Sequence, residues 1–302
     1  MSKTIDQNIS AKSLAVRASL TREVPDPSCS LQQERSQWNE AARGVALAPR
    51  CQATEDRIGD VPCLWLSPGE TASEDLLLYA HGGGLVTGSI LTHRAFASEL
   101  ATALKRKVLL VGYRLLPEHP FTAPRDDLVT LYKALLAVGG YKADQVIFAG
   151  DSSGAAVAVA ASVDLGQQNA PQPRAIVSLS GAFDTSLSGD SFKALAGKDP
   201  LLSPGVLLDW QKHFCGKIDL KDPVISPLFA DLHNIAPVLL LAGDHELWLS
   251  DSERMHLALQ AAGVSSSLSI YPGMWHVWPM WPSLPETSDA FREIDAFLCQ
   301  TS

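Results

Sequence analysis

Six short apolar runs, spaced along the chain with helix-like segments between them, limit how this chain can fold. They lie at 76–79, 108–111, 146–149, 175–179, 238–241 and 268–271, and Val, Ile and Leu dominate them. A strand with one wet face alternates apolar and polar residues, whereas one covered on both faces does not. Segments at 92–104, 126–137 and 252–262 carry helical patterns between the runs. The alternation predicts an α/β fold, with a mostly parallel central sheet, right-handed crossovers and helices on both faces. The 302 residues suit one large domain, and there is no internal repeat or low-complexity tract.

Two regions depart from the alternation. In the first, Ser30-Leu31-Gln32-Gln33 has the form of a capping box and Gly44 supplies a stop. Leu31, Trp38, Ala41 and Ala42 form a narrow apolar stripe between them, as in a helix lying on a surface. From 52 to 66 the pattern is extended, with a turn at Gly59-Asp60. The second region runs from 179 to 238 without a strand; Ser203-Pro204 opens a helix there, carrying Leu207, Leu208, Trp210 and Phe214. The expected organisation is an N-terminal cap arm at 1–50 and a catalytic body at 51–302. The body carries a cap insertion at about 185–220, and arm and insertion together form a lid over the strand ends.

A formal charge of −9, with no Lys/Arg run, argues against nucleic acid as a partner. The apolar runs are too short to span a bilayer, and the first residues lack the apolar core of a secretory signal. The cysteines Cys29, Cys51, Cys63, Cys215 and Cys299 are odd in number and form no Cys-x-x-Cys, as expected of reduced thiols in a cytoplasmic protein. An exposed final strand at 268–271 would suit a homodimer formed edge to edge.

The chemistry centres on Gly150-Asp151-Ser152-Ser153-Gly154, between the apolar run at 146–149 and a small-residue helix starting near Ala155. Gly-x-Ser-x-Gly on a strand-to-helix junction is a nucleophile elbow, which presents Ser152 to a base. Of eight histidines, His276 is best placed, in the loop after the last run. A carboxylate must orient that base, and Asp244, Glu246 and Asp251 all follow the run at 238–241. Each gives the chain order Ser, acid, His, and spacing does not separate Asp244 from Glu246. His245-Glu246 does not begin a zinc motif, because Leu249 stands where the second histidine belongs; no metal and no cofactor are expected. His81-Gly82-Gly83-Gly84 follows the run at 76–79 and can turn bare N–H groups toward an oxyanion. Gly83, Gly84 and Ser153, the residue after the nucleophile, are the expected donors. Trp38, Trp248, Trp275 and Trp278 are candidates for an apolar substrate pocket, with Trp281, Met274 and Met280 nearby. Arg114, Glu118, Arg125, Asp126 and Asp127 read as a structural charge network.

The segments 81–84, 113–121, 150–154 and 273–276, in this order, resemble the hormone-sensitive-lipase family of carboxylesterases over about residues 75–298. The resemblance implies an α/β-hydrolase fold with a helical cap. It implies cofactor-free hydrolysis of short to medium acyl esters through an acyl-enzyme, with Ser152 as nucleophile and His276 as base. It favours Glu246 as the acid and places Gly83 and Gly84 in the oxyanion hole. Ser153, Ala155 and Leu116 depart from the family's commoner Ala, Gly and Ala. An amidase or lactonase would use the same triad, and a non-catalytic small-molecule receptor would share the fold. A receptor has no need of Ser152, His276 and an acid together, and this chain keeps them all.

Overall fold

The computed structural model describes residues 2–4, 9–22, 26, 28–214 and 218–301. The chain opens with β1 (Ser2–Thr4), α1 (Ala11–Ser19) and α2 (Leu31–Arg43). A hairpin of β2 (Gln52–Ile58) and β3 (Val61–Ser67) follows, turning at Gly59 and Asp60, both with positive φ. Strands and helices then alternate: β4 (Leu76–Ala80), α3 (Ile90–Leu104), β5 (Lys107–Val111), α4 (Ala123–Ala137), β6 (Val146–Asp151) and α5 (Ser153–Gln167). After β7 (Ala175–Leu179) come α6 (Ser191–Ala194) and α7 (Pro204–Lys212). The chain ends with β8 (Val238–Gly243), α8 (Leu249–Ala261), β9 (Ser266–Tyr271) and α9 (Pro285–Gln300).

The strands form one sheet in the order β1-β9-β8-β7-β6-β4-β5-β3-β2. Pairings are parallel except where β3 meets β2 and β5. Both faces are covered, which explains the unbroken apolar runs. Along β4, Leu76, Leu78 and Ala80 enter the core shared with α4, α5 and α8, while Leu77 and Tyr79 enter that shared with α3 and α9. Among the described residues no helix is long and apolar enough to cross a membrane.

The expectation of an exposed final strand fails. The outer side of β9 is taken by β1, with Ser2, Lys3 and Thr4 opposite Leu268, Ser269 and Ile270. A three-residue polar strand has no apolar signature to betray it. At the other edge β2 is exposed and carries Glu55, Asp56 and Arg57, charges that discourage strand addition.

One carboxylate gathers the N-terminal ends of the parallel strands. Asp75, just before β4, accepts two hydrogen bonds from Arg174, before β7, each at 2.8 Å. It accepts a third from Arg106, before β5, at 3.2 Å. Burial opposes the charge on Asp75, but the two guanidiniums outweigh it and hold its pKa below the ordinary 3.8. Replacing Asp75 by Ala leaves Arg174 buried without its carboxylate and is expected to cost about 3–5 kcal/mol, read from urea denaturation. In the native chain this contribution is present above pH 3.8 and is lost as pH falls through the lowered folded value.

Candidate active site

At the end of β6 the backbone reverses through Ser152, which has φ 52° and ψ −125°. Side chains rarely adopt this conformation, and it persists only where its surroundings force it. Here the force is a close approach. A Cβ on Gly150 would stand 2.5 Å from the Gly154 carbonyl carbon, and one on Gly154 would run into the Ala80 carbonyl. Two bare glycines let α5 pack directly on β6 and β4, and the turn between them lifts Ser152 into a chamber at the strand ends.

His276 arrives from the loop after β9, which turns at Gly273 with φ 71°. A carboxylate reaches it from the turn after the neighbouring β8. Glu246 folds back so that Oε1 accepts from the Gly243 N–H at 2.8 Å and Oε2 meets His276 Nδ1 at 3.0 Å. This separates the two carboxylates that spacing left open. Asp244 turns outward to His245 and the Gly273 N–H, each at 2.6 Å. Asp251 is buried elsewhere, accepting from the N–H groups of Phe183 and Asp184. Burial opposes charge on both members of the Glu246–His276 pair. At His276 the contact with Glu246 outweighs burial, and its pKa stands above the ordinary 6.5.

The glycine loop after β4 is held in an unusual shape. Gly83, Gly84 and Leu85 have φ of 118°, 62° and 65° in succession. The third is unfavourable for a leucine, by about 1–3 kcal/mol. The Gly83 carbonyl accepts from Thr87 N and Val86 N, and Gly82 N–H donates to Asp151 Oδ1 at 3.0 Å. Among the described residues, the N–H groups of Gly83, Gly84 and Ser153 donate to no other group. These are the expected oxyanion donors. The Ser153 hydroxyl, where the family commonly has a methyl, accepts from Leu85 N at 3.3 Å and so ties the elbow to this loop.

Two chambers meet at Ser152. One, of about 40 Å³, is lined by Gly84, Ser153, Leu207, Phe214, Ile225 and Trp248, among others. The other, of about 190 Å³, contains His276 together with Trp38, His93, Asp151, Leu202 and Met280. Trp210 walls both. Trp38 lines the larger chamber and Trp248 the smaller. Trp275 and Trp278 line neither: both are fully buried in the core beneath the sheet with α3 and α9. Trp275 is edge-on to Trp281 at 5.4 Å, and Trp278 rests on Tyr271 at 4.9 Å. The loop presents His276 to one side and its neighbours to the other.

The sequence did not reveal Asp151 as a buried hub. Its carboxylate accepts from Tyr79 Oη at 2.7 Å and lies 3.5 Å from His93 Nε2. Burial works to raise its pKa, but His93 and the hydrogen bonds hold it below the ordinary value. Nearby, burial drives His81 down to about 3, so its ring is neutral. The expected charge network divides: Arg114 pairs with Asp127 and Arg125 with Asp126, while Glu118 turns away to Arg35 on α2.

A parallel sheet with a left-handed serine turn on a central strand, and a histidine–carboxylate pair from the loops after two strands further along the same sheet, is the architecture of an α/β-hydrolase. Residues 77–280 match a family described as having the alpha/beta hydrolase fold. An esterase of Acinetobacter venetianus is 35% identical over 230 residues, 76% of each chain. An acetyl-hydrolase of Streptomyces hygroscopicus is 34% identical over 242 residues, 80% of each. A solved esterase of the bacterial hormone-sensitive lipase family superimposes with a TM-score of 0.86 at 33% identity, covering 96% of both chains. EstE5 does so with a TM-score of 0.90 at 31% identity, over 97% of this chain and 99% of that one. The chain belongs to the hormone-sensitive-lipase family of α/β-hydrolases, which are carboxylic ester hydrolases.

Because the base must be neutral to accept a proton, activity should fall below a midpoint that lies above pH 6.5. Glu246→Gln removes the cause of that rise. The acid limb of kcat/KM should move to lower pH, and kcat should drop by about 10⁴. An unmoved limb would show that Glu246 is not the partner of the titrating histidine.

Proposed function

We propose that Ser152, His276 and Glu246 hydrolyse esters of short acyl groups with bulkier alcohols. The observation that carries this reading is the inequality of the two chambers and the presence of His276 in only one of them.

His276 takes the proton from the Ser152 hydroxyl as its oxygen attacks the carbonyl carbon. The carbonyl electrons collect on an oxyanion held by the N–H groups of Gly83, Gly84 and Ser153. When the intermediate collapses, His276 gives its proton to the departing alkoxide. The leaving alcohol must therefore lie in the chamber that contains His276, the one of about 190 Å³. The acyl group is left with the chamber of about 40 Å³. A single water needs about 10–15 Å³ by this measure, so the smaller chamber takes three or four groups of that size. That is room for acetyl to butyryl. Water then repeats the sequence, His276 accepting its proton and Ser152 leaving as the free acid departs.

The acetyl-hydrolase among the relatives supports a short acyl group. The lid expected from sequence is supported by the contact of α2 with α7: Trp38 stands edge-on to Trp210 at 5.9 Å, beside the chambers. The free thiols of Cys29, Cys51, Cys63 and Cys299 support a cytoplasmic location, while Cys215 lies outside the described residues.

With p-nitrophenyl esters, kcat/KM should be highest for acetate to butyrate and fall steeply beyond. Ser152→Ala should lower kcat by about 10⁶; near-native turnover in that variant would remove Ser152 from the mechanism. Phe214→Ala opens the small chamber and should shift the optimum acyl length upward. An optimum that stays put would place the acyl group elsewhere.

A further inference from the structure

Helix α2 contributes more than a wall. Its inward positions Glu34, Arg35, Trp38 and Asn39 recur at helical spacing, and three of the four make hydrogen bonds to the body or to α7. Glu34 Oε1 accepts from Trp210 Nε1 at 2.8 Å, and Asn39 Oδ1 accepts from the Ser89 hydroxyl at 2.6 Å. Arg35 makes the most contacts. Its Nε donates to the Val86 carbonyl at 2.6 Å, and one terminal nitrogen donates to the Leu116 carbonyl at 2.6 Å. The two terminal nitrogens also grip Glu118 at 2.8 and 2.9 Å. Although α2 lies on the surface, the Arg35 side chain is only 15% exposed.

The residues it grips are the ones that need holding. Val86 directly follows the three successive positive-φ residues Gly83, Gly84 and Leu85. Leu116 N–H donates to the Leu85 carbonyl at 3.0 Å, so the segment at 116–118 is already bound to the glycine loop. A loop in such a conformation keeps it only if external groups fix it. The sheet and α5 supply Asp151 beneath Gly82 and Ser153 beneath Leu85. Arg35 is supplied by the arm. Its planar fork meets a carboxylate edge and two carbonyls together, which an ammonium on a flexible stem does not.

We propose that Arg35 is a positioning residue for the oxyanion hole, and that docking of α2 and assembly of the hole are one event. With Arg35 in place, the chain past Gly84 is fixed from outside, and the donors at Gly83 and Gly84 keep their direction. Without it, α2 can still stand over the larger chamber through Trp38, but the loop loses its outer anchor. The inference rests on the serine mechanism proposed above, and the two fail separately. Near-native activity in Ser152→Ala defeats that mechanism; an unchanged kcat in folded Arg35→Ala while Ser152→Ala is dead defeats only this one.

The test compares vinyl acetate, whose leaving group is small, with 1-naphthyl acetate, whose leaving group reaches toward Trp38. Arg35→Ala, Arg35→Lys and Glu118→Gln are each assayed with both esters, with melting temperatures measured alongside. Misdirected donors slow the chemistry whatever the alcohol. In Arg35→Ala, kcat should fall about 10- to 100-fold for both esters, less than the 10²–10³ of losing a donor outright, with KM within about twofold. Arg35→Lys and Glu118→Gln should show smaller losses of the same kind, so an unfolded Ala variant still leaves two informative ones. The proposal is overturned by unchanged kcat in the folded variants. It is equally overturned by a rise in KM for the naphthyl ester alone, which would make α2 a wall and nothing more.

Discussion

The site depends on a missing atom at two positions. Because Gly150 and Gly154 carry no Cβ, α5 can lie against the backbone of β6 and β4. That contact forces Ser152 into a left-handed turn. The same contact places the Ser153 N–H, at the start of α5, beside the serine and brings its hydroxyl under Leu85. The Ser152 turn, the free Ser153 N–H beside it and one prop of the glycine loop thus share a single origin. Strain at Ser152 is tolerable because its backbone is fixed by hydrogen bonds to the end of β7 and the chain just beyond it: Ser152 N–H donates to the Leu179 carbonyl at 2.9 Å, and Ala182 N–H to the Ser152 carbonyl at 3.1 Å.

What the sequence revealed, and what it hid, follows from how each feature is encoded. The parallel strands were legible because burial on both faces leaves long apolar runs, and the elbow was legible because close backbone contact demands glycine. The capping box at Ser30 and Gln33 was legible because it is a local reciprocal pair. The strand β1 was hidden because three polar residues in an edge pairing carry no pattern. Trp275 and Trp278 were misassigned because nearness in sequence to His276 does not fix projection. Asp244 and Glu246 stand two apart on one turn, and only the direction of the chain after β8 decides which reaches His276. Arg35 was invisible because two of its partners are backbone carbonyls, which any residue supplies.

Charge within this site is arranged by depth. Glu246 is fully buried and used by His276, while Asp151 is fully buried and used by Tyr79, Gly82 and His93. Each carboxylate has polar partners at both oxygens, as a buried charge requires. The two chambers at Ser152 have largely apolar walls, with Thr92, His93, Asp151 and His276 lining the larger one. Trp210 belongs to both chambers and rests over Gly84, where a Cβ would lie 2.5 Å from its ring. One indole therefore sets the division between the two chambers as well as the ceiling over the glycine loop.

The pairing of β1 with β9 has a consequence for how the molecule is made. Residues 2–4 are translated long before their partners at 268–270. β1 is therefore made well before its partner strand exists, while α2 finds its own partners near 86 and 116 much sooner. The sheet is thus completed only once β9 has been made, when two strands far apart in sequence are laid side by side.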